Sequence, residues 1–175
     1  MKIMYLIAAF IFIFCSLKVD AKSTHEIRSA FLYQMAKLID FPEQKTKKAI
    51  RFCFYDLNHG PGAILNKNNK LKIRGKPIEV TKIDISDPLR ELSKRCDITY
   101  IDETKEDDIL SAWTDTIALN MVTVGESIEF LEGGGIASLV QEGSKIRLYI
   151  NRQEVAQHNF KVLSRLLAVS KFYPD

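Results

Sequence analysis

The chain has 175 residues, 46% of them hydrophobic and 27% charged, with eight glycines and five prolines; that composition excludes disordered and collagen-like polymers. Its 25 Lys and Arg against 22 Asp and Glu give a formal charge of +3, without the clustered basic face that marks a nucleic-acid binder. The length predicts a single domain, large enough to bury a core without staples.

The first element is a leader. Lys2 precedes an apolar run from Met4 to Phe14, and Val19-Asp20-Ala21 places modest or small residues at the −3 and −1 positions of a cleavage site. Residues 1–21 are therefore expected to be a secretory signal peptide cut after Ala21, leaving 22–175 as the domain. A membrane anchor needs about 20 apolar residues, and the stretch from Cys15 to Asp20 breaks the run too early. Lipidation at Cys15 is disfavoured by the large Phe14 before it. An exported chain meets an oxidising compartment, so the two remaining cysteines, Cys53 and Cys96, are expected to form a disulfide; the alternative is two buried free thiols. Closing that loop contributes about 4 kcal/mol in the chain-entropy model.

In chain order, apolar residues at Ile27, Ala30, Phe31, Met35, Leu38 and Ile39 predict an amphipathic helix over 25–39, capped by Thr24 and stopped by Pro42. A strand follows at 50–55, then a short helix at 63–68 entered through Gly60-Pro61-Gly62. Alternating apolar positions on both sides of Arg74-Gly75-Lys76-Pro77 predict a hairpin or a bent strand. Next come a helix at 88–94 capped by Ser86 or Asp87, a strand at 97–101, a helix at 107–113 and a strand at 116–123. A short helix at 127–131 ends at Gly133-Gly134-Gly135, and strands at 136–140 and 145–150 follow. The chain closes with a segment at 154–158 and a final helix at 162–172. Alternating strand and helix signals predict an α/β fold: a mixed, mainly parallel sheet flanked by helices, with an antiparallel edge near the C-terminus.

Chemistry is sparse. The loop from Asp56 to Gly62 lies where an open α/β sheet takes its ligands, yet it matches no phosphate-binding motif and Pro61 removes a donor. The three consecutive glycines read equally as a helix stop and as a place of close backbone approach. His25, His59 and His158 lack metal-ligand spacing and are expected at the solvated surface. The acidic run from Asp102 to Asp108 reads as a helix start rich in carboxylates. With no activated nucleophile in sight, neither a catalytic residue nor a metal or cofactor is expected, and a secreted hydrolase is the weakest of the functional readings.

Several segments together resemble the YfiR family. These are the opening from Ile27 to Pro42 (IRSAFLYQMAKLIDFP), a first strand carrying Cys53, Arg74-Gly75-Lys76-Pro77-Ile78, and the strand opened by Cys96. Gly133-Gly134-Gly135-Ile136, the strand into Ile150-Asn151, and Leu166-Leu167 complete the order. The sequence departs from the family pattern at Asn58-His59-Gly60-Pro61-Gly62, at Phe41 in place of a Trp, and in lacking a second cysteine pair.

The resemblance implies a periplasmic regulator rather than an enzyme. It would bind the periplasmic sensory domain of an inner-membrane diguanylate cyclase, holding down cyclic di-GMP and with it biofilm formation. An outer-membrane lipoprotein of the peptidoglycan-associated type would draw it away; a homodimer is left open. The same resemblance makes Cys53 and Cys96 a bridging pair. Phe130, Gly133, Gly134, Gly135, Ile136, Asn151 and Arg152 are expected to form the partner-binding surface, glycines permitting close approach and an exposed Phe130 acting as anchor. The competing reading is a small-ligand sensor acting with a histidine kinase or receptor, its crevice lined by the Asp56 to Gly62 loop.

Overall fold

The computed structural model describes residues 22–42, 45–68, 70–113 and 119–174. The expected leader with its cleavage site, and the start of the strand predicted at 116–123, lie outside the described residues; residues 119–121 of that prediction are irregular, and the strand forms instead at Val122–Gly125. Among the described residues no helix is long and apolar enough to cross a membrane.

Helix α1 (Thr24–Lys37) opens on a capping box. The Ser23 hydroxyl accepts from the Glu26 N–H at 3.2 Å, and the Glu26 carboxylate accepts from the Ser23 N–H at 2.7 Å. The cap is thus Ser23, one residue before the expected Thr24. The buried face of α1 is also rotated from the apolar reading: Arg28, Ser29, Leu32, Met35 and Ala36 face inward, whereas Ala30 is exposed.

After the short β1 (Ile39–Asp40), the chain forms β2 (Ile50–Phe54), α2 (Gly60–Lys67) and the β3 (Lys72–Ile73) and β4 (Lys76–Lys82) hairpin. Then come α3 (Leu89–Arg95), β5 (Ile98–Tyr100), a 3-10 turn (Glu103–Lys105), α4 (Glu106–Ala112) and β6 (Val122–Gly125). Pro88, not Ser86 or Asp87, occupies the N-cap of α3, since the Asp87 carboxylate is taken by the Asp84 N–H and by Arg95. Helix α5 (Ile128–Glu132) precedes the β7 (Ala137–Glu142) and β8 (Lys145–Asn151) hairpin, followed by α6 (Arg152–Gln157).

One eight-stranded sheet, ordered β10-β8-β7-β6-β5-β2-β4-β3, carries the fold. The five strands β4, β2, β5, β6 and β7 run parallel, in register through Phe52 against both Val80 and Ile98, and Thr99 against Thr123. Every residue of β5 and β6 is buried, and all of β2 but Arg51, as expected of central strands covered on both faces. β4 and β8 instead alternate between buried and exposed positions, the pattern of strands nearer the edges.

The end of the chain departs from the predicted helix. Residues 162–172 split into β9 (Lys161–Val162), α7 (Ser164–Leu167) and β10 (Lys171–Tyr173). Pairing partners elsewhere override the local helical pattern: β9 pairs antiparallel with β1, and β10 runs parallel to β8. The sheet therefore has an antiparallel step at β7–β8 as well as at its β3–β4 edge, and this end of it closes on a parallel edge strand.

Candidate functional site

Two constellations emerge, a crevice above the parallel strands and a patch in the C-terminal third. The crevice follows from topology. From β2 the chain turns to β4 on one side, and from β5 it turns to β6 on the other. Between the carboxyl ends of β2 and β5 the order therefore reverses, and the chain leaves these two strand ends toward opposite sides. A cavity of about 380 Å³ lies there. It is lined by Phe54 and Tyr55 at the end of β2, Tyr100 at the end of β5, and the start of α2 at Gly60, Pro61 and Gly62.

Charge around the crevice is mostly acidic. Asp56, Asp102, Glu103 and Glu126 line it, with Lys105 as the lysine among them. Lys105 donates to both Asp102 oxygens, at 3.0 and 3.1 Å. Glu126, just past β6, accepts from the Tyr100 hydroxyl and pairs with Arg28 of α1 at 2.9 Å, both charged side chains being less than a tenth exposed. Burial pushes the Glu126 carboxyl above the ordinary glutamate value, opposed by the Tyr100 hydrogen bond and by Arg28. Burial likewise raises the Tyr100 phenol far above the usual tyrosine value, with the Glu126 charge adding to it. At the rim, the Asp56 carboxyl is held below its ordinary value, first by the Asn58 N–H and then by His59, 3.2 Å away.

Glu106 supports this arrangement from beneath. Its buried carboxylate accepts from the Glu126 N–H at 2.5 Å, the Ser127 N–H at 3.3 Å and the Ser127 hydroxyl, tying α4 to the start of α5. Sequence reasoning missed Arg28, Glu106 and Glu126. A charged residue inside an apolar helical stripe was the available signal for Arg28, which lies one turn before Leu32. The pairing of Tyr100 with Glu126 had none, since it joins residues 26 apart, one at the end of β5 and the other just past β6. Among the described residues no group of three or more His, Cys, Asp or Glu is placed to hold a metal ion.

In the C-terminal third, the glycine run is a helix stop. Gly135 N–H donates to Phe130 O at 2.8 Å and Gly134 N–H to Leu131 O at 3.2 Å, with Gly134 at φ +97°. That pair of bonds is a Schellman motif. It is also a place of close approach, because a Cβ on Gly135 would lie 2.3 Å from the Phe130 ring.

Phe130 was expected to be an exposed anchor; it is fully buried, packed beneath Gly125 and Gly135 and edge-on to Trp113. Ile136 and Gly135 are buried too, as the entry to β7. Asn151 is buried because its side chain donates to Leu131 O at 3.1 Å and caps α6 through the Gln153 and Glu154 N–H groups. It thereby ties the glycine turn to Arg152. Of the seven residues, Gly133, Gly134 and Arg152 are exposed; Arg152 lies 4.8 Å over the Phe172 ring. Val169, in the turn between α7 and β10, is 71% exposed.

Cys53 and Cys96 are joined, with a Cα–Cα distance of 5.9 Å, and both are buried. His25 and His59 are exposed as expected, but the His158 side chain is 8% exposed. Its Nδ1 accepts from the Leu119 N–H at 3.2 Å, and its ring packs against Phe160.

A YfiR/HmsC-like family model matches residues 25–171. No curated protein matches the chain. Among solved structures it is similar to a conserved domain protein from Vibrio cholerae, at 12% identity and a TM-score of 0.54, covering 82% of this chain and 59% of that one. It is also similar to an ABC domain from Streptococcus pneumonia solved in complex with L-Trp, at 12% identity and a TM-score of 0.52, covering 80% of this chain and 59% of that one. At such identities the likeness is one of fold, and the chain spans less than two thirds of either structure.

Proposed function

Because the chain belongs to the YfiR/HmsC-like family, we propose that it is an exported periplasmic regulator, freed of its leader after Ala21. It binds the periplasmic sensory domain of an inner-membrane diguanylate cyclase and represses it. The observation that carries this reading is the family match across residues 25–171. The buried Cys53–Cys96 bridge supports it, since such bonds persist in oxidising compartments.

Repression requires differential binding: the protein must hold the silent conformation of the cyclase more tightly than the active one. The contact surface in this reading is the exposed part of the C-terminal third, Gly133, Gly134, Arg152 and Val169. Buried Phe130, Ile136 and Asn151 shape it from within. A peptidoglycan-associated lipoprotein of the outer membrane relieves repression by competing for the regulator.

The experiment is affinity capture of the tagged protein from crosslinked envelopes of its own source, with mass spectrometry of what is retained. The proposal expects an inner-membrane diguanylate cyclase, lost with the Arg152→Glu and Val169→Asp double variant. Gly134→Arg is a poor probe, because a positive φ strains any L side chain at that position. Recovery of a histidine kinase or receptor instead of a cyclase overturns the named target.

A further inference from the structure

We propose that the crevice between the carboxyl ends of β2 and β5 is a binding site for a small organic cation, an amine carried on an aromatic or short hydrocarbon body. The inference rests on the geometry of the crevice and not on the regulatory reading. Three observations converge on it.

The first is place. The strand order reverses between β2 and β5, where open α/β sheets bind ligands, and a cavity is present there. Its volume of about 380 Å³ lies at the lower end of the range for small-molecule sites. The second is the apolar floor. Phe54 and Tyr100 stand 5.9 Å apart, ring to ring, and Tyr55 adjoins them along the same lining. All three rings are less than a tenth exposed, so they form the apolar floor of the crevice and not its open walls; such a floor covers an apolar body and attracts a cation lying over it.

The third is the sign of the charge. Four carboxylates line the crevice against Lys105, which Asp102 already neutralises, and Glu126 is matched from behind by Arg28. That leaves Asp56 and Glu103 in excess, with the histidine beside Asp56 as its partner. The start of α2 on its own favours an anion. Pro61, however, removes one of its first donors, and the surrounding carboxylates repel a second negative charge. His25 and His59 also line the crevice, so the balance disfavours phosphates and carboxylic acids and favours an ammonium group.

The test is calorimetric titration of the purified exported protein with phenethylamine and cadaverine, set against phenethyl alcohol and phenylpropionate as neutral and acidic counterparts. The amines are expected to bind and the alcohol and acid not to. The Asp56→Asn, Glu103→Gln double variant alters exposed or half-exposed groups and is expected to keep its melting temperature while weakening amine binding by about tenfold or more. Glu126→Gln serves as a second variant at the crevice floor, with circular dichroism confirming its fold. The inference is overturned if neither amine binds, if the acid binds as well as the amine, or if the double variant binds amines as tightly as the parent. Capture of the cyclase alongside failed amine binding sinks the cation site alone. Amine binding without a cyclase sinks the regulatory reading alone.

Discussion

At the amino-terminal ends of β2 and β5 the Asp97 carboxylate is fully buried and fully engaged. It accepts from Lys47, from the Arg51 N–H at 2.8 Å, and from the Arg51 guanidinium at 3.2 and 3.3 Å, next to the Cys53–Cys96 bridge. At the carboxyl ends of the same strands, Asp56, Asp102 and Glu103 are half or wholly exposed around an open cavity. The same residue type thus does two jobs. Below the sheet a carboxylate with every oxygen satisfied fastens two strands together; above it, carboxylates left partly open to water are available to a ligand.

That contrast can be broken from the fastened end. Cys53→Ser is expected to cost about 2–5 kcal/mol, the usual loss for a native disulfide, and urea unfolding of the purified protein measures it. Thiol labelling of the unreduced, denatured protein should find neither Cys53 nor Cys96 free. Asp97→Ala comes next, at about 3 kcal/mol, since it leaves Lys47, Arg51 and a backbone N–H without their acceptor. Lys47 and Arg51 keep some contact with water, which holds the loss below that of a wholly buried pair broken on one side.

Gly135→Ala probes the shoulder between the two ends. Its Cβ would meet the Phe130 ring at 2.3 Å and the Phe130 carbonyl at 2.6 Å, so overpacking of about 1–3 kcal/mol is expected in the same unfolding assay. His158 gives a smaller, pH-dependent effect. Burial holds it below the ordinary histidine value of 6.5, against the opposing pull of Glu154. The unfolded chain therefore takes up this proton first, and stability falls as pH drops through and below that value. His158→Gln should flatten the melting temperature between pH 7 and pH 5, read by calorimetry across roughly that window. Smallest of all, Asp56→Asn at the crevice rim should shift stability by less than about 0.5 kcal/mol. A large loss there would mean that the upper carboxylates are fasteners too.

How much of this was legible depended on the range of the interaction. The hairpins around Gly75 and Gly143, the central strands β2 and β5 and the helix ending at Gly133 were readable because turn residues and periodicity act within a few positions, whereas β6 forms later than the expected 116–123. The family-like opening from Ile27 to Pro42 was equally local. The C-terminal segment misled because Val162, Leu163, Leu166 and Leu167 carry helical spacing, while β1 and β8 offered it strand partners more than a dozen residues away. Phe130 misled in the opposite direction. A large aromatic beside three glycines suggested an exposed anchor, but those glycines leave the room that lets its ring sink into the core. At the crevice, the loop from Asp56 to Gly62 and the acidic run from Asp102 were each identified, but Glu126 and the meeting of all three were not, since only the fold order brings β5 and β6 beside β2.

The central claim is that this chain represses a diguanylate cyclase from the periplasm, and cyclic di-GMP measured in its own source before and after deletion of the gene tests it most directly. The account predicts a rise on deletion, reversed by the wild-type chain and not by Cys53→Ser. An unchanged level, or a fall, would contradict it.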